Sequence, residues 1–231
     1  MNLRGLPRLF LPGATPDAPF ELPQQELDKL RKVLRLSSGA EIAVLPNDGS
    51  LIRCRLQGHS AVPEAVEHPA TEPALRLTLA QALPKGDKLD EIVRACTEIG
   101  VARFVLFPSD RTIVRWDDKK TDSRVHRLEV IAREAAEMSF RTRVPIFELA
   151  KGLDEILSKY PEATVLSEVE GVSAPLKPTE TEMTVVVGPE GGWSPREVKA
   201  IGVRGATLGP RVLRVDHAGP AAAAILLLGA P

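Results

Sequence analysis

Cysteine is scarce in this chain. Cys54 and Cys96 are the only two in 231 residues, and no Cys-x-x-Cys occurs. That argues against a disulfide framework and against a thiolate zinc site. His59, His68, His126 and His217 show no ligand spacing, so no metal is expected. Neither sign of charge is in excess: 30 Lys and Arg stand against 31 Asp and Glu, a formal net charge of −1. No global basic field announces nucleic acid, although local patches matter more than the sum. Long apolar runs are missing too. The longest, Ala221 to Ala230, is about half of the ~20 residues that cross a bilayer and reads as a buried helix. The opening MNLRGLPRLFLPGATP lacks the apolar core of a signal peptide. A cytoplasmic protein with no membrane partner is expected. Neither G-x-G-x-x-G nor a glycine loop ending in Lys-Ser or Lys-Thr is present, which makes a Rossmann cofactor site and a Walker phosphate site unlike this chain.

Two other glycine loops are present. Gly188-Pro189-Glu190-Gly191-Gly192 follows the apolar run Met183 to Val187, and Leu208-Gly209-Pro210-Arg211-Val212-Leu213-Arg214 follows Ala206 to Leu208. The first loop leads into a helix start: Ser194 as cap, Pro195 in the first turn, and Glu197 completing a Ser-x-x-Glu capping box. A strand, a glycine turn and a helix start bring backbone N–H groups close to a ligand. One such loop is ordinarily a tight connection. Two of them, carrying Glu190, Arg211 and Arg214, point to one ligand held between them.

The rest of the chain reads as two textures. Gln24 to Leu36 has Leu27, Leu30, Val33 and Leu34 at helical spacing, and two short strands, Ile42 to Leu45 and Leu51 to Leu56, flank the turn Pro46-Asn47-Asp48-Gly49. Ser60 to Pro73 holds three prolines and reads as a linker or domain boundary. Beyond it, strands are expected at Leu75 to Leu79, Arg103 to Phe107 and Thr164 to Leu166. Helices are expected at Gly86 to Ile99, stopped by Gly100, and at Ser123 to Met138. Alternating strands and helices predict an α/β domain with a largely parallel sheet, which binds ligands at the carboxyl ends of its strands.

Several polar residues are candidates for chemistry. Arg8, Arg31, Arg35, Arg111, Arg115, Arg141, Arg143, Arg211 and Arg214 fall outside the core pattern. Arg127 and Arg133 read as solvated helix faces. Arg111, past a strand end, and Arg141, past a helix end, are placed for phosphate contacts. Asp216 reads as a helix cap. Lys85-Gly86-Asp87-Lys88 is either a phosphate-contacting turn or a polar loop. Trp116 and Trp193 are either base-stacking platforms or packed anchors.

KGDKLDEIVRACTEIGV (Lys85 to Val101), AAEMSFR (Ala135 to Arg141) with Val144-Pro145, GPEGGWSPREV and LGPRVLR, in that order, resemble the ribosomal RNA small subunit methyltransferase E family of the SPOUT superfamily. Arg8-Leu9-Phe10 and Leu30 to Leu36, followed by Gly39, are similar to its PUA-like module. The resemblance implies a small β-rich PUA-like RNA-binding domain over 1–68 and a trefoil-knotted α/β methyltransferase domain over 74–231. It further implies a homodimer that uses S-adenosyl-L-methionine to methylate N3 of a uridine in small-subunit ribosomal RNA, on the assembled small ribosomal subunit. By position, Leu166, Gly188, Glu190, Gly191, Gly192, Leu208, Gly209 and Leu213 would hold the cofactor. Arg214, Asp216 and Glu190 would act in catalysis, and Arg8, Arg35, Arg111 and Arg141 would meet RNA. The family pattern is broken where Met138 and Phe140 replace Gln and Gly, where Lys29 replaces His, and where Val215-Asp216-His217 replaces Thr-Glu-Thr. Those breaks motivate a rival reading, a non-catalytic RNA-binding ribosome-assembly factor. An α/β enzyme acting on a phosphorylated metabolite would keep the loops and need no RNA.

Overall fold

The computed structural model describes residues 5–113, 116, 118–167, 174–178 and 181–228. Arg115 and the end of the 221–230 run lie outside them. The chain divides into two compact units, Met1–Glu72 with Ala136–Val144, and Pro73–Ala135 with Pro145–Pro231.

The first unit is a five-stranded mixed sheet. Its strands are β1 (Arg8–Phe10), β2 (Phe20–Glu21), β3 (Glu41–Leu45), β4 (Leu51–Gln57) and β5 (Ser60–Glu67), ordered β1-β3-β4-β5-β2. Only β1 and β3 pair in parallel. Alternate residues of a strand face opposite sides. Leu9, Ile42, Val44, Ile52 and Leu56 thus form one buried cluster with Leu27 and Leu30, while Phe10, Ala43, Leu45 and Leu51 form another with Ala136. The β3–β4 turn is held by Asp48, whose Oδ1 accepts from the Ser50 N–H at 2.8 Å and its hydroxyl at 2.7 Å. Asn47 takes a left-handed φ of 72° and accepts the Val144 N–H at 2.7 Å, fastening the 136–144 segment to the hairpin.

That segment corrects one expectation. The Arg141 side chain is only 3% exposed, and its guanidinium donates to Glu72 at 2.7 Å. Glu72 also accepts the N–H groups of Thr142 at 2.8 Å and Arg143 at 3.1 Å. Arg141 is a buried ion-pair partner inside this unit rather than the exposed cation expected past a helix end. Breaking a buried pair leaves an uncompensated charge, so Glu72→Ala is expected to lower stability by about 3 kcal/mol in urea unfolding. Phe140 holds a left-handed φ of 65°, a conformation that glycine adopts without strain. The Arg8 guanidinium lies over the Phe140 ring, 4.1 Å from its centroid. Burial draws the Arg8 pKa down, against the opposing charge of Glu137.

The second unit is a seven-stranded sheet in which every pairing is parallel. In chain order it contains β6 (Arg76–Ala82), α2 (Lys88–Ile99), β7 (Arg103–Phe107), β8 (Ile146–Leu149), α4 (Leu153–Lys159), β9 (Thr164–Leu166), β10 (Ala174–Pro175), β11 (Glu182–Val187), α5 (Pro195–Ile201), β12 (Gly205–Thr207) and α6 (Val215–Leu227). Helix α3 (Asp118–Met138) begins in this unit, and its last residues belong to the first. The strand order is β10-β12-β9-β11-β6-β7-β8. A parallel sheet is covered on both faces, so its strands are almost continuously apolar. Leu77, Leu79, Ala80, Phe104, Phe107, Val185 and Val186 are accordingly buried. Gly100 ends α2 at φ 120°, where a Cβ would stand 2.5 Å from Pro73 Cγ. Among the described residues, no helix is long and apolar enough to cross a membrane.

Three further expectations change. Ser60 to Glu67 is a strand rather than a linker, while the division between the two units falls at Glu72 and Pro73, inside the segment read as a linker or boundary. Pro63 in the strand is tolerated because the β4–β5 register shifts at that point, and prolines in sheets occur at such bulges. The 24–36 segment is not one amphipathic helix. It starts as α1 (Gln24–Asp28) and continues as a wider π turn over Lys29–Val33, with the Leu34 N–H reaching the Lys29 carbonyl. The wider turn rotates the register, leaving Leu27 and Leu30 buried but Val33 72% exposed. Finally, the C-terminal helix begins at Val215. Asp216 therefore lies in its first turn rather than at its cap, which Arg214 occupies.

Candidate functional site

Strands β9, β11 and β12 are neighbours in the sheet, and their carboxyl ends open onto one cavity of about 620 Å³. That volume suits a drug-sized or nucleoside-sized ligand. Leu166, Gly188, Glu190, Gly192, Leu208, Leu213 and Arg214 line it, so both glycine loops do converge on one space. Gly191 and Gly209 are set back from the lining. Gly191 packs on Arg111, where a Cβ would stand 3.4 Å from Arg111 Cβ. Gly209 takes φ 122°, and its N–H donates to Thr207 Oγ1 at 3.1 Å. Lys88 and Trp193, each given two readings from the sequence, also line the wall, and so do Ser167, Val187 and Thr207, which sequence reasoning missed. Ser167 directly follows Leu166, so its place at a strand end was the available signal.

The indole of Trp193 donates from Nε1 to the Leu166 carbonyl at 2.9 Å and stacks on Phe107 with centroids 6.4 Å apart. It is a packed anchor that ties the first glycine loop to β9. A Cβ on Gly188 would lie 2.9 Å from the Trp193 ring, so only glycine fits there without displacing the indole. The predicted capping box is present in full. Ser194 Oγ accepts the Glu197 N–H at 3.1 Å, and Glu197 Oε2 accepts the Ser194 N–H at 2.8 Å. These N–H groups are therefore taken up by the helix's own residues. The glycine loop supplies the backbone that faces the cavity.

Glu190 bridges two loops. Its Oε1 accepts the Lys85 N–H at 3.0 Å and the Lys88 ammonium at 2.7 Å, so Lys85-Gly86-Asp87-Lys88 is a brace for the GPEGG loop. Burial pushes the Glu190 pKa up, but the bonds from Lys88 and the backbone outweigh it and hold the carboxyl below its ordinary range. On the opposite loop, Arg214 Nε donates to Asp216 Oδ1 at 3.2 Å, and the Arg214 side chain is 70% exposed. The Asp216 pKa is also lowered. Burial opposes the shift, while a backbone hydrogen bond, Arg214 and the charge of His217 carry it. Both carboxylates are ionised at neutral pH.

Arg111, expected to face RNA, donates from Nη1 to the Gly191 carbonyl at 2.8 Å. The preceding residue, Asp110, accepts from Ser194 Oγ and from Arg196 at 3.0 and 2.8 Å. Hydrogen bonds from Arg196 and then from Ser194 hold Asp110 at about 2, against an ordinary 3.8. A carboxylate depressed on folding stabilises the protein above its unfolded pKa and stops doing so as pH falls through the folded value. Melting temperature is therefore expected to drop between about pH 4 and pH 2, and Asp110→Asn should flatten that leg of the curve in a calorimetric pH series. In the other unit, Arg35 is exposed at a left-handed φ of 55°.

The family model described as RNA methyltransferase domain matches residues 71–227. The class is thereby set: an RNA methyltransferase on a parallel α/β sheet. Ribosomal RNA small subunit methyltransferase E of Bacillus subtilis is 31% identical over 219 residues, covering 86% of each chain. That of Synechocystis is 33% identical over 214 residues, covering 86% of this chain and 69% of the relative. A crystal structure of ribosomal RNA small subunit methyltransferase E from Neisseria gonorrhoeae, bound to S-adenosyl methionine, matches at 28% identity with a TM-score of 0.83, covering 95% of both chains. The chain belongs to the ribosomal RNA small subunit methyltransferase E family.

Proposed function

We propose that this chain uses S-adenosyl-L-methionine to methylate N3 of a uridine in small-subunit ribosomal RNA, acting on the assembled subunit. The observation that carries this reading is the meeting of both glycine loops and Arg214 around one cavity at the carboxyl edge of the sheet. The cavity fits the cofactor: apolar Leu166, Leu208 and Leu213 suit an adenosine, and Gly188, where a Cβ would meet the Trp193 ring, keeps bare backbone at the wall. The cofactor, when bound, supplies a methyl group activated on a sulfonium.

This chain's residues do the rest. Leu166, Gly188, Gly192, Leu208 and Leu213 hold the cofactor, while Glu190, Gly191 and Gly209 shape the two loops. Arg214 offers a positive charge to the uridine as its N3 loses a proton, which favours the developing anion. Asp216 orients that guanidinium and accepts the proton through water. Glu190 is committed to Lys85 and Lys88, which makes it the weaker candidate for the base. In-line positioning of nitrogen and methyl donor contributes much of the rate.

The same reading treats 1–68 as a PUA-like RNA-binding domain, with Arg8 and Arg35 toward RNA, and 74–231 as a trefoil-knotted SPOUT domain. The knot is supported by β12 lying beyond β9 from β11, after which α6 returns to pack on α2, β6 and β11. A homodimer is part of the proposal, with Val203 at 94% and Val212 at 76% exposure offering apolar surface to a second copy. Transfer of label from methyl-labelled cofactor should occur with unmodified small subunits and not with naked ribosomal RNA. Equal labelling of naked RNA would remove the assembled particle from the account.

A further inference from the structure

We propose that Arg111 is a positioning residue of the cofactor loop rather than an RNA contact. The proposal rests on the S-adenosyl-L-methionine reading above and names what holds that pocket in shape. The loop after β7 is fastened on itself first: the Thr112 N–H donates to the Ser109 carbonyl and the Ser109 N–H to Thr112 Oγ1, both at 2.9 Å. Its Asp110 N–H then donates to Glu197 Oε1 at 3.0 Å, and Glu197 is fully buried. Asp110 in turn accepts from Ser194 and Arg196. These bonds join the loop to the capping box immediately after the glycine loop.

From that fixed base Arg111 reaches the glycine loop itself. Its aliphatic chain lies against Gly191, and Nη1 holds the Gly191 carbonyl at 2.8 Å. Gly191 lies between Glu190 and Gly192, both of which line the cavity. The loop is thus gripped at Glu190 by the Lys85–Lys88 turn, at Gly191 by Arg111, and at Ser194 by Asp110. A guanidinium bond to a carbonyl fixes that peptide plane, and with it the direction of the neighbouring N–H groups. Without Arg111 the Gly191 peptide is free to rotate, since glycine imposes little conformational restraint of its own.

The test is calorimetric titration of S-adenosyl-L-methionine into the full-length protein, together with the salt dependence of its binding to small subunits. Arg111→Ala should raise the cofactor Kd about tenfold and leave the salt slope unchanged, because a lost charge-assisted bond costs that much and no phosphate contact is removed. Arg111→Lys should recover most of the affinity, since one donor suffices for one carbonyl. Wild-type cofactor affinity in both variants, with a shallower salt slope, would overturn the proposal and return Arg111 to RNA. Absence of cofactor binding by the wild-type protein would instead overturn the underlying reading of the pocket, and the proposal with it.

Discussion

Gly192→Val is expected to weaken S-adenosyl-L-methionine binding by about 30-fold while leaving the protein folded. Gly192 sits at φ 68°, and its N–H closes the turn onto the Pro189 carbonyl at 3.0 Å. Among the described residues no atom stands within 4 Å of where its Cβ would be, so the substitution does not fail by collision. It fails through the backbone. A β-branched residue is a strong outlier at positive φ, costing about 2 kcal/mol, so the free loop relaxes out of that conformation, and binding must either restore it or forgo the loop donors, a loss of about 2 kcal/mol. Gly192→Ala is expected to weaken binding less, since alanine is a milder outlier at positive φ than a β-branched residue. Calorimetric titration measures the affinity, and circular dichroism establishes the fold. Unchanged cofactor affinity in a folded Gly192→Val protein would show that this loop does not bind the cofactor.

Arg214→Ala is expected to lower kcat by about 10²–10³-fold, the scale seen when one group that stabilises developing charge is removed, with cofactor Kd unchanged. The guanidinium is 70% exposed and tied only on its Nε side to Asp216 in the described geometry, so its removal disturbs little of the core. Asp216→Asn should give a loss of similar size, about 10²-fold or more, because it removes both the orienting charge and the proton acceptor while leaving the cation in place. Single-turnover methylation of small subunits at saturating cofactor reads the effect on chemistry directly. Full activity in Arg214→Ala would take this residue out of the mechanism.

Much of the second unit was legible in the sequence because its signals are local. Strands β6, β7, β9 and β11 are apolar runs bounded by polar or glycine residues, and the Ser194–Glu197 box is written in consecutive positions. Strand β8 escaped because it is a four-residue edge with Ile146 and Leu149 half exposed, and β10 because it has only two residues. Helix α4 spans only two turns. The π turn after α1 escaped for a different reason: reading by a 3.6-residue period assumes the winding that this segment abandons.

The same division holds for the candidate site. Both glycine loops were visible as motifs, and their residues meet at one cavity. The supports of those loops were not visible. Arg111 and Gly191 are 80 positions apart, Lys88 and Glu190 are 102, and no periodicity links such partners. For Arg141, a position just past a helix end suggested an exposed cation. Its burial with Glu72, 69 positions away, depends on tertiary packing.

Mass spectrometry of nucleosides from unmodified small subunits, incubated with this protein and methyl-labelled S-adenosyl-L-methionine, tests the central claim most directly. The account predicts labelled 3-methyluridine as the product. Another labelled nucleoside, or no label from a protein that binds the cofactor, would contradict it.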